Sequence, residues 1–311
     1  MFKLRWYQEG AINAALANVG KVKSQLICIP TGGGKSIVIA EVIRKSLEEN
    51  YRFKAIMLTH RKELIHQNYL KLKSIFPQAP AGIFSAGLKS KDSLSPIVFG
   101  GIQSVAAAMK RNAHKFSVYD MVIIDEAHMM SESVESSYGY LIGKLREANP
   151  NLSVVGLTAT PYRMKNGMLV ESGIFDKVTY DICNPTDFIR LIDEGYLSNL
   201  VVPSRIKKIN RQELQSSSFD FTEESSKSSF DLINESIIAD IKSLLSKDRK
   251  KAIVFASGIE HVELLYKLAV DAGLSAGMAH SKLGNDANDE TVKAFSDGRL
   301  SVLINADKLI S

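Results

Sequence analysis

Residues Gln25 to Ile37, QLICIPTGGGKSI, set a strand, a glycine turn and a helix start end to end. Leu26, Ile27, Cys28 and Ile29 form an apolar run of strand length. Pro30 stops the ladder, and three consecutive glycines free the backbone for conformations closed to other residues. A helix beginning near Lys35 turns its unpaired N–H groups and positive dipole end toward that turn, which makes a ring of donors for an anion. Thr31, Gly32, Gly33 and Gly34 would cradle phosphates, Lys35 would reach the β- and γ-phosphates, and the Ser36 hydroxyl would hold a bridging magnesium ion. The general phosphate-loop pattern asks for glycine five positions before Gly34, where this chain has Ile29.

The same alternation of strand and helix continues downstream, which predicts an α/β fold with an open parallel sheet. The carboxyl ends of such strands face the ligand crevice. The strand Phe53 to Leu58 ends in Thr59, His60, Arg61 and Lys62, a basic, hydroxyl-bearing corner suited to a phosphodiester. After the strand Ile97 to Phe99, Gly101 would let a backbone approach closely, with Gln103 and Ser104 donating to phosphates. The strand Tyr119 to Asp125 delivers Asp125, Glu126 and His128 to its carboxyl end. Two adjacent acids there need a cation: Asp125 would hold magnesium, and Glu126 would orient and deprotonate an attacking water. The strand Leu152 to Leu157 ends in Thr158 and Thr160, hydroxyls placed to contact His128 and couple the nucleotide to a neighbouring surface. Before the phosphate loop, Gln8 has the amide geometry that reads N6 and N7 of adenine, with Tyr7 or Arg5 packed on the ring.

A chain of 311 residues has room for two domains, and its net charge of +5 favours an anionic partner. No apolar run approaches the roughly 18 residues of a spanning helix, and no apolar core follows MFKLRWYQEG to make a signal peptide. The expectation is a cytoplasmic protein with no membrane partner. Cys28 and Cys183 give neither a disulfide framework nor zinc-ligand spacing, so no structural zinc is expected.

In chain order LRWYQ, PTGGGKS, LTHRKEL, GGIQS, DEAH and TATP resemble the glutamine motif and motifs I, Ia, Ib, II and III of superfamily 2 helicase-type ATPases with a DEAH box. IFSAGLKSK, VFGGIQSVA, LIGKL, VVGLTATPYR and IDEGYLS are similar to stretches of the RadD-type DNA-repair helicases. The resemblance implies two RecA-like parallel-sheet lobes of the P-loop NTPase class, residues 1–200 and 201–311, with a flexible connector over about 204–230. IVFAS with Ser257, AHSK with His280, and LINADKL resemble motif IV, its histidine-bearing neighbour and the opening of motif V. Ser257 and His280 would then join the nucleic-acid track. The chain carries no Q-x-x-G-R-x-x-R stretch, so the second lobe is expected to be incomplete and hydrolysis by this chain alone slow. The implied cofactors are ATP and Mg2+. The implied partners are nucleic acid, DNA ahead of RNA, with repair or replication proteins. A duplex DNA translocase, an RNA helicase and a nucleotide-gated clamp remain open beside the DNA helicase.

Overall fold

The computed structural model describes residues 3–112, 116–130, 137–163, 167–171, 173–199, 223–247 and 249–306. It divides into two units, Met1–Leu200 and Val201–Ser311. In the first, α1 (Trp6–Ala17) precedes β1 (Ser24–Cys28) and α2 (Lys35–Glu49). Next come β2 (Ala55–Thr59), α3 (Lys62–Ile75), β3 (Ala81–Ser85), β4 (Ser90–Lys91), β5 (Ile97–Gly101) and α4 (Ile102–Arg111). β6 (Met121–Asp125), a 3-10 turn (Ala127–Met129), α5 (Ser137–Ala148) and β7 (Ser153–Thr158) follow. β8 (Tyr162–Arg163), β9 (Gly167–Met168), β10 (Lys177–Asp181) and α6 (Pro185–Asp193) close the unit.

One sheet of order β10-β1-β7-β6-β2-β5-β3-β4 runs through this unit. Every pairing in it is parallel except β3 with β4. Its strands alternate between two cores. Ile27, Met57, Phe99, Ile123 and Val155 face the core that α1, α2 and α3 cover. Leu26, Ile56, Val98, Val122 and Val154 face the one covered by α4 and α5. Burial on both faces is why these strands read as continuous apolar runs rather than alternating ones. Each fully buried Ile or Leu contributes roughly 1.5–3 kcal/mol.

The segment DFIRLIDEGYL, expected to lead out of the first lobe, is mostly α6. The Asn184 side chain caps it by accepting from the Asp187 N–H at 3.0 Å, and Pro185 occupies its first turn. Gly195, at φ +71°, ends it, and Tyr196 and Leu197 pack back on the first core.

The second unit contains α7 (Glu223–Leu245), β11 (Ala252–Phe255), α8 (Ile259–Asp271), β12 (Ala276–Ala279), α9 (Asn285–Ser296) and β13 (Val302–Asn305). Its strands form a parallel sheet of order β11-β13-β12. Ile238, Val262, Leu265, Val302 and Ile304 pack on one face, and Ala279, Phe295 and Leu303 on the other. Of the connector expected over 204–230, residues 223–230 fall in α7. Residues 204–222 of it, and the motif V opening from Asp307 onward, lie outside the described residues. Among the described residues no helix is long and apolar enough to cross a membrane.

Candidate nucleotide and nucleic-acid site

Ile29 to Gly34 join β1 to α2, and each glycine of this loop answers a separate constraint. Gly32 and Gly34 have φ of +81° and +84°, the left-handed region that side chains disfavour. A Cβ on Gly33 would lie 2.6 Å from Ile29 Cγ2 and 3.0 Å from the Pro30 carbonyl oxygen. Ile29, the departure from the general pattern, is fully buried, and its N–H donates to the Thr158 carbonyl at 2.9 Å, prolonging the β1–β7 ladder into the loop. Gln8, 1% exposed, ties α1 to the loop. Its Nε2 donates to the Gly33 carbonyl at 3.2 Å, and its Oε1 accepts from the Arg5 N–H at 3.1 Å.

Tyr7 does not offer a face to a base. It is fully buried, ring to ring with Trp6 and Tyr196, and its hydroxyl accepts from the Arg5 guanidinium at 2.8 Å. Arg5 itself lies 4.7 Å over the Tyr196 ring, which leaves Arg5 and Tyr196 as the surface beside Gln8.

Asp125 is the last residue of β6 and 4% exposed. One carboxylate oxygen accepts from the Glu126 N–H at 3.0 Å and the other from Asn68 Nδ2 at 2.9 Å. Burial pushes its carboxyl above the usual range, while the Asn68 hydrogen bond and the Lys35 charge pull the other way. Glu126 follows with φ 54° and ψ 52°, a left-handed conformation for a non-glycine residue at a site of this kind. That turn aims its carboxylate at two partners: Lys35 Nζ at 3.3 Å and His128 Nδ1 at 3.4 Å. His128 Nδ1 also lies 3.0 Å from Thr158 Oγ1. The Thr158 hydroxyl donates to the Thr160 carbonyl at 3.2 Å and accepts from the Thr160 N–H at 3.0 Å. His128 Nδ1 therefore faces both the Glu126 carboxylate and the Thr158 hydroxyl.

The structure therefore gathers Gln8, Gly33, Lys35, Asp125, Glu126, His128, Thr158 and Thr160 around one edge of the sheet. Ser36 opens α2 beside Lys35. Sequence reasoning missed Asn68. The signal was present: Ile65, Asn68 and Leu72 share the buried stripe of α3, so an amide stands where an apolar side chain belongs.

At the neighbouring strand ends, Arg61 caps α3 and Lys62 begins it. His60 is exposed, its ring 5.1 Å from that of Tyr138. Desolvation of its partly covered ring lowers its pKa, opposed by the nearby Met129 backbone. Gln103 is exposed, and the Ser104 hydroxyl accepts from the Ala86 N–H at 3.0 Å. A cavity of about 520 Å³ opens beside Ser104, with Ser90, Lys91 and Arg111 on its wall. Three expectations are corrected here. Thr59 is 1% exposed, on the same side of β2 as Ala55 and Met57, so it offers almost no surface to a strand. Gly101 is buried, and the place of its missing Cβ lies 3.3 Å from Ile65 Cδ1, so it serves helix packing rather than a ligand's approach. In the second unit Ser257 is exposed and bonded to His261 at 3.0 Å, but His280 is 3% exposed, with neither ring nitrogen partnered among the described residues.

The donor set fits a magnesium nucleotide. A tight loop with left-handed and Cβ-excluding glycines at a helix N-terminus suits a polyphosphate, and the hard oxygens of Ser36 and Asp125 suit magnesium. IRC3 of Saccharomyces cerevisiae, named provisionally as an ATP-dependent helicase, is 28% identical over 97% of this chain and 44% of its own length. A fragment named provisionally as the HsdR subunit of a type I restriction enzyme from Vibrio vulnificus YJ016 superposes at TM-score 0.66. That match has 18% identity and covers 99% of this chain and 55% of the fragment. Dbp5 of S. cerevisiae, bound to RNA and ADP BeF3, superposes at TM-score 0.57 with 16% identity, over 98% of this chain and 70% of its own. The large and small parallel sheets are thus RecA-like lobes, and the chain spans about half the length of the curated relatives it matches. The family described as the type III restriction enzyme, res subunit, matches residues 1–163, just over half of the 311, and the chain belongs to it.

Proposed function

We propose that this chain is the ATP-hydrolysing core of a DNA helicase or translocase of superfamily 2, of the RadD type, acting in DNA repair or recombination. The observation that carries the reading is the Lys35–Glu126 contact of 3.3 Å at the mouth of the glycine loop, beside a buried Asp125. Bound Mg-ATP supplies the electrophilic phosphoryl group and the cation that neutralises it. The chain supplies the rest. Loop amides and Lys35 bind the phosphates, and Ser36 and Asp125 hold the cation's place. Glu126 Oε takes the proton of the attacking water, and His128 holds that carboxylate in orientation from Thr158. Arg61, Lys62, Gln103 and Ser104 support a backbone-directed grip, salt-sensitive and nearly blind to sequence. Family membership favours DNA. RNA is the second reading, supported by the likeness to a protein solved with RNA.

Steady-state hydrolysis with and without DNA or RNA, beside forked-duplex and triplex displacement, tests this. DNA-stimulated hydrolysis with fork displacement is expected. Triplex displacement alone makes the protein a duplex translocase, stimulation by RNA alone makes it an RNA motor, and hydrolysis blind to both polymers sinks the motor reading.

A further inference from the structure

Asn68 is out of place by the logic of its helix. It is 1% exposed, between Ile65 and Leu72 on the stripe of α3 that packs on the sheet. Its Nδ2 donates to the Leu64 carbonyl and to Asp125 Oδ2, both at 2.9 Å, while its Oδ1 is buried with no partner among the described residues. A buried acceptor left unsatisfied destabilises, and a leucine would fill the same stripe without one. Packing therefore does not explain this side chain; its contact with Asp125 does. The two Asp125 oxygens each receive one donor, from Glu126 N–H and from Asn68, so the carboxylate plane is fixed while lone pairs stay open on both. Groups that hold a metal ligand in this way set its orientation and tune its affinity for the cation.

The same helix begins at the basic corner. Asn68 lies six residues beyond Lys62, about 9 Å along the axis at 1.5 Å per residue. Asn68 therefore ties the strand end that carries Asp125 directly to α3. A shift of α3 under load at Arg61 and Lys62 must move the donor that orients Asp125.

We propose that Asn68 is a positioning residue that aims Asp125 at a divalent cation, and that α3 through it links nucleic-acid contact at Arg61 and Lys62 to cation affinity at the nucleotide site. The inference rests on the Mg-nucleotide reading of the site. Its test is the Mg2+ concentration that half-saturates binding of a fluorescent ADP to the full chain, with and without single-stranded DNA. Asn68→Leu should raise that concentration about 10–100-fold, the usual effect of removing such a partner, and leave binding in EDTA unchanged. In the wild type added DNA should shift the Mg2+ requirement, and Mg-nucleotide should shift DNA affinity by the same factor. In the variant both shifts should vanish while nucleotide-free DNA binding persists. Leu72→Ala, on the same buried stripe, controls for a merely structural role: it should lower the melting temperature yet keep the wild-type Mg2+ requirement. Should Asn68→Leu melt without cooperativity, Asn68→Ser carries the same expectation. A wild type without Mg2+-dependent nucleotide binding overturns the function above. A wild type that has it beside an unchanged Asn68 variant, or a Leu72→Ala chain with the same Mg2+ defect, overturns the role of Asn68 alone.

Discussion

Replacing Gly34 by alanine asks whether the phosphate loop is held by α1 or only by its own glycines. At φ 84° and ψ 40° an L residue is disfavoured by about 1–2 kcal/mol. The lower entropy of the unfolded chain with alanine returns about 0.4–1 kcal/mol. The new methyl would sit 2.7 Å from Gln8 Nε2 and displace the amide that donates to the Gly33 carbonyl. Leaving that buried amide unpaired costs about 1–3 kcal/mol more. The sum is roughly 1–5 kcal/mol, centred near 3, and in a unit of this size each kcal/mol lowers the melting temperature by about 2–4 °C. Gly32→Ala is the internal control. Its φ is +81°, but the nearest side-chain atom, Leu197 Cδ2, stands at an ordinary 3.4 Å, so only the backbone terms remain, about 0–1.6 kcal/mol. Calorimetric melts of Gly32→Ala, Gly34→Ala, Gln8→Ala and the Gln8/Gly34 double variant close a thermodynamic cycle. Because Gln8→Ala removes both the clash and the bond, the two sites should couple by about 1–3 kcal/mol. Equal melting of the two glycine variants, or additivity within about 0.5 kcal/mol, refutes the idea that α1 braces the loop.

Three further outcomes are expected. Glu126→Gln should slow single-turnover hydrolysis about 10²–10⁴-fold with nucleotide binding retained, and a rate within tenfold of wild type would remove Glu126 as the base. Its stability should change by no more than about 1 kcal/mol, since the pair with Lys35 is partly exposed, 11% and 28%. Asp125→Asn should melt higher than wild type at neutral pH. Burial raises the folded pKa of Asp125 above the unfolded value of about 3.9, so its ionisation destabilises progressively as pH rises through that interval. The gap between the two proteins should open with rising pH and close below about pH 4; a gap constant from pH 4 to 8 would contradict the assignment. Arg61→Ala with Lys62→Ala should flatten the slope of log affinity against log salt by about 1.4–1.8, two phosphates at roughly 0.7–0.9 each, and an unchanged slope would take that corner off the strand's path.

What the sequence discloses and what it hides follow from burial. β1, β2, β6 and β7 lie inside the sheet, covered on both faces, so ICI, AIML, VII and VVGL stand out as apolar runs. β10, KVTYD, is an edge strand with exposed ends and half-buried middle residues, and β3, AGIFS, is diluted by alanine and glycine, so neither stands out. At the site, position at a strand end identifies the functional edge but not the face. Thr59 follows Ala55 and Met57 at period two and is only 1% exposed, so a strand-end position alone does not make a residue available to a ligand. Tyr7 could have been placed by period: with Ala11 and Ala15 it forms the buried stripe of α1, while Trp6 takes the outer side, where its Nε1 donates to Glu194 at 2.7 Å. Asn68 and Asp125 are 57 positions apart, and only the fold reveals that an amide in the apolar stripe of a helix serves an acid at a strand end.

Register is what brings the loop and the acids to one place. Leu157 of β7 stands opposite both Ile27 of β1 and Asp125 of β6, so the ends of the outer two strands are level across the middle one. Two strand spacings separate them, about 9.5 Å, too wide for a short side chain to bridge. The long stem of Lys35, projected from the first turn of α2, and the left-handed turn at Glu126 close that distance to 3.3 Å. One residue back on β7, Gly156 has no side chain, and the space a Cβ would need is taken by Ala127 Cβ at 3.0 Å and Phe175 Cε1 at 2.6 Å. The turn after the acids therefore lies down over the middle strand, which sets His128 against Thr158 at 3.0 Å. A side chain at position 156, or one larger than alanine at 127, would lift that turn and part the histidine from the threonine. The small residues beside the acids are as much a condition of the site as the acids themselves.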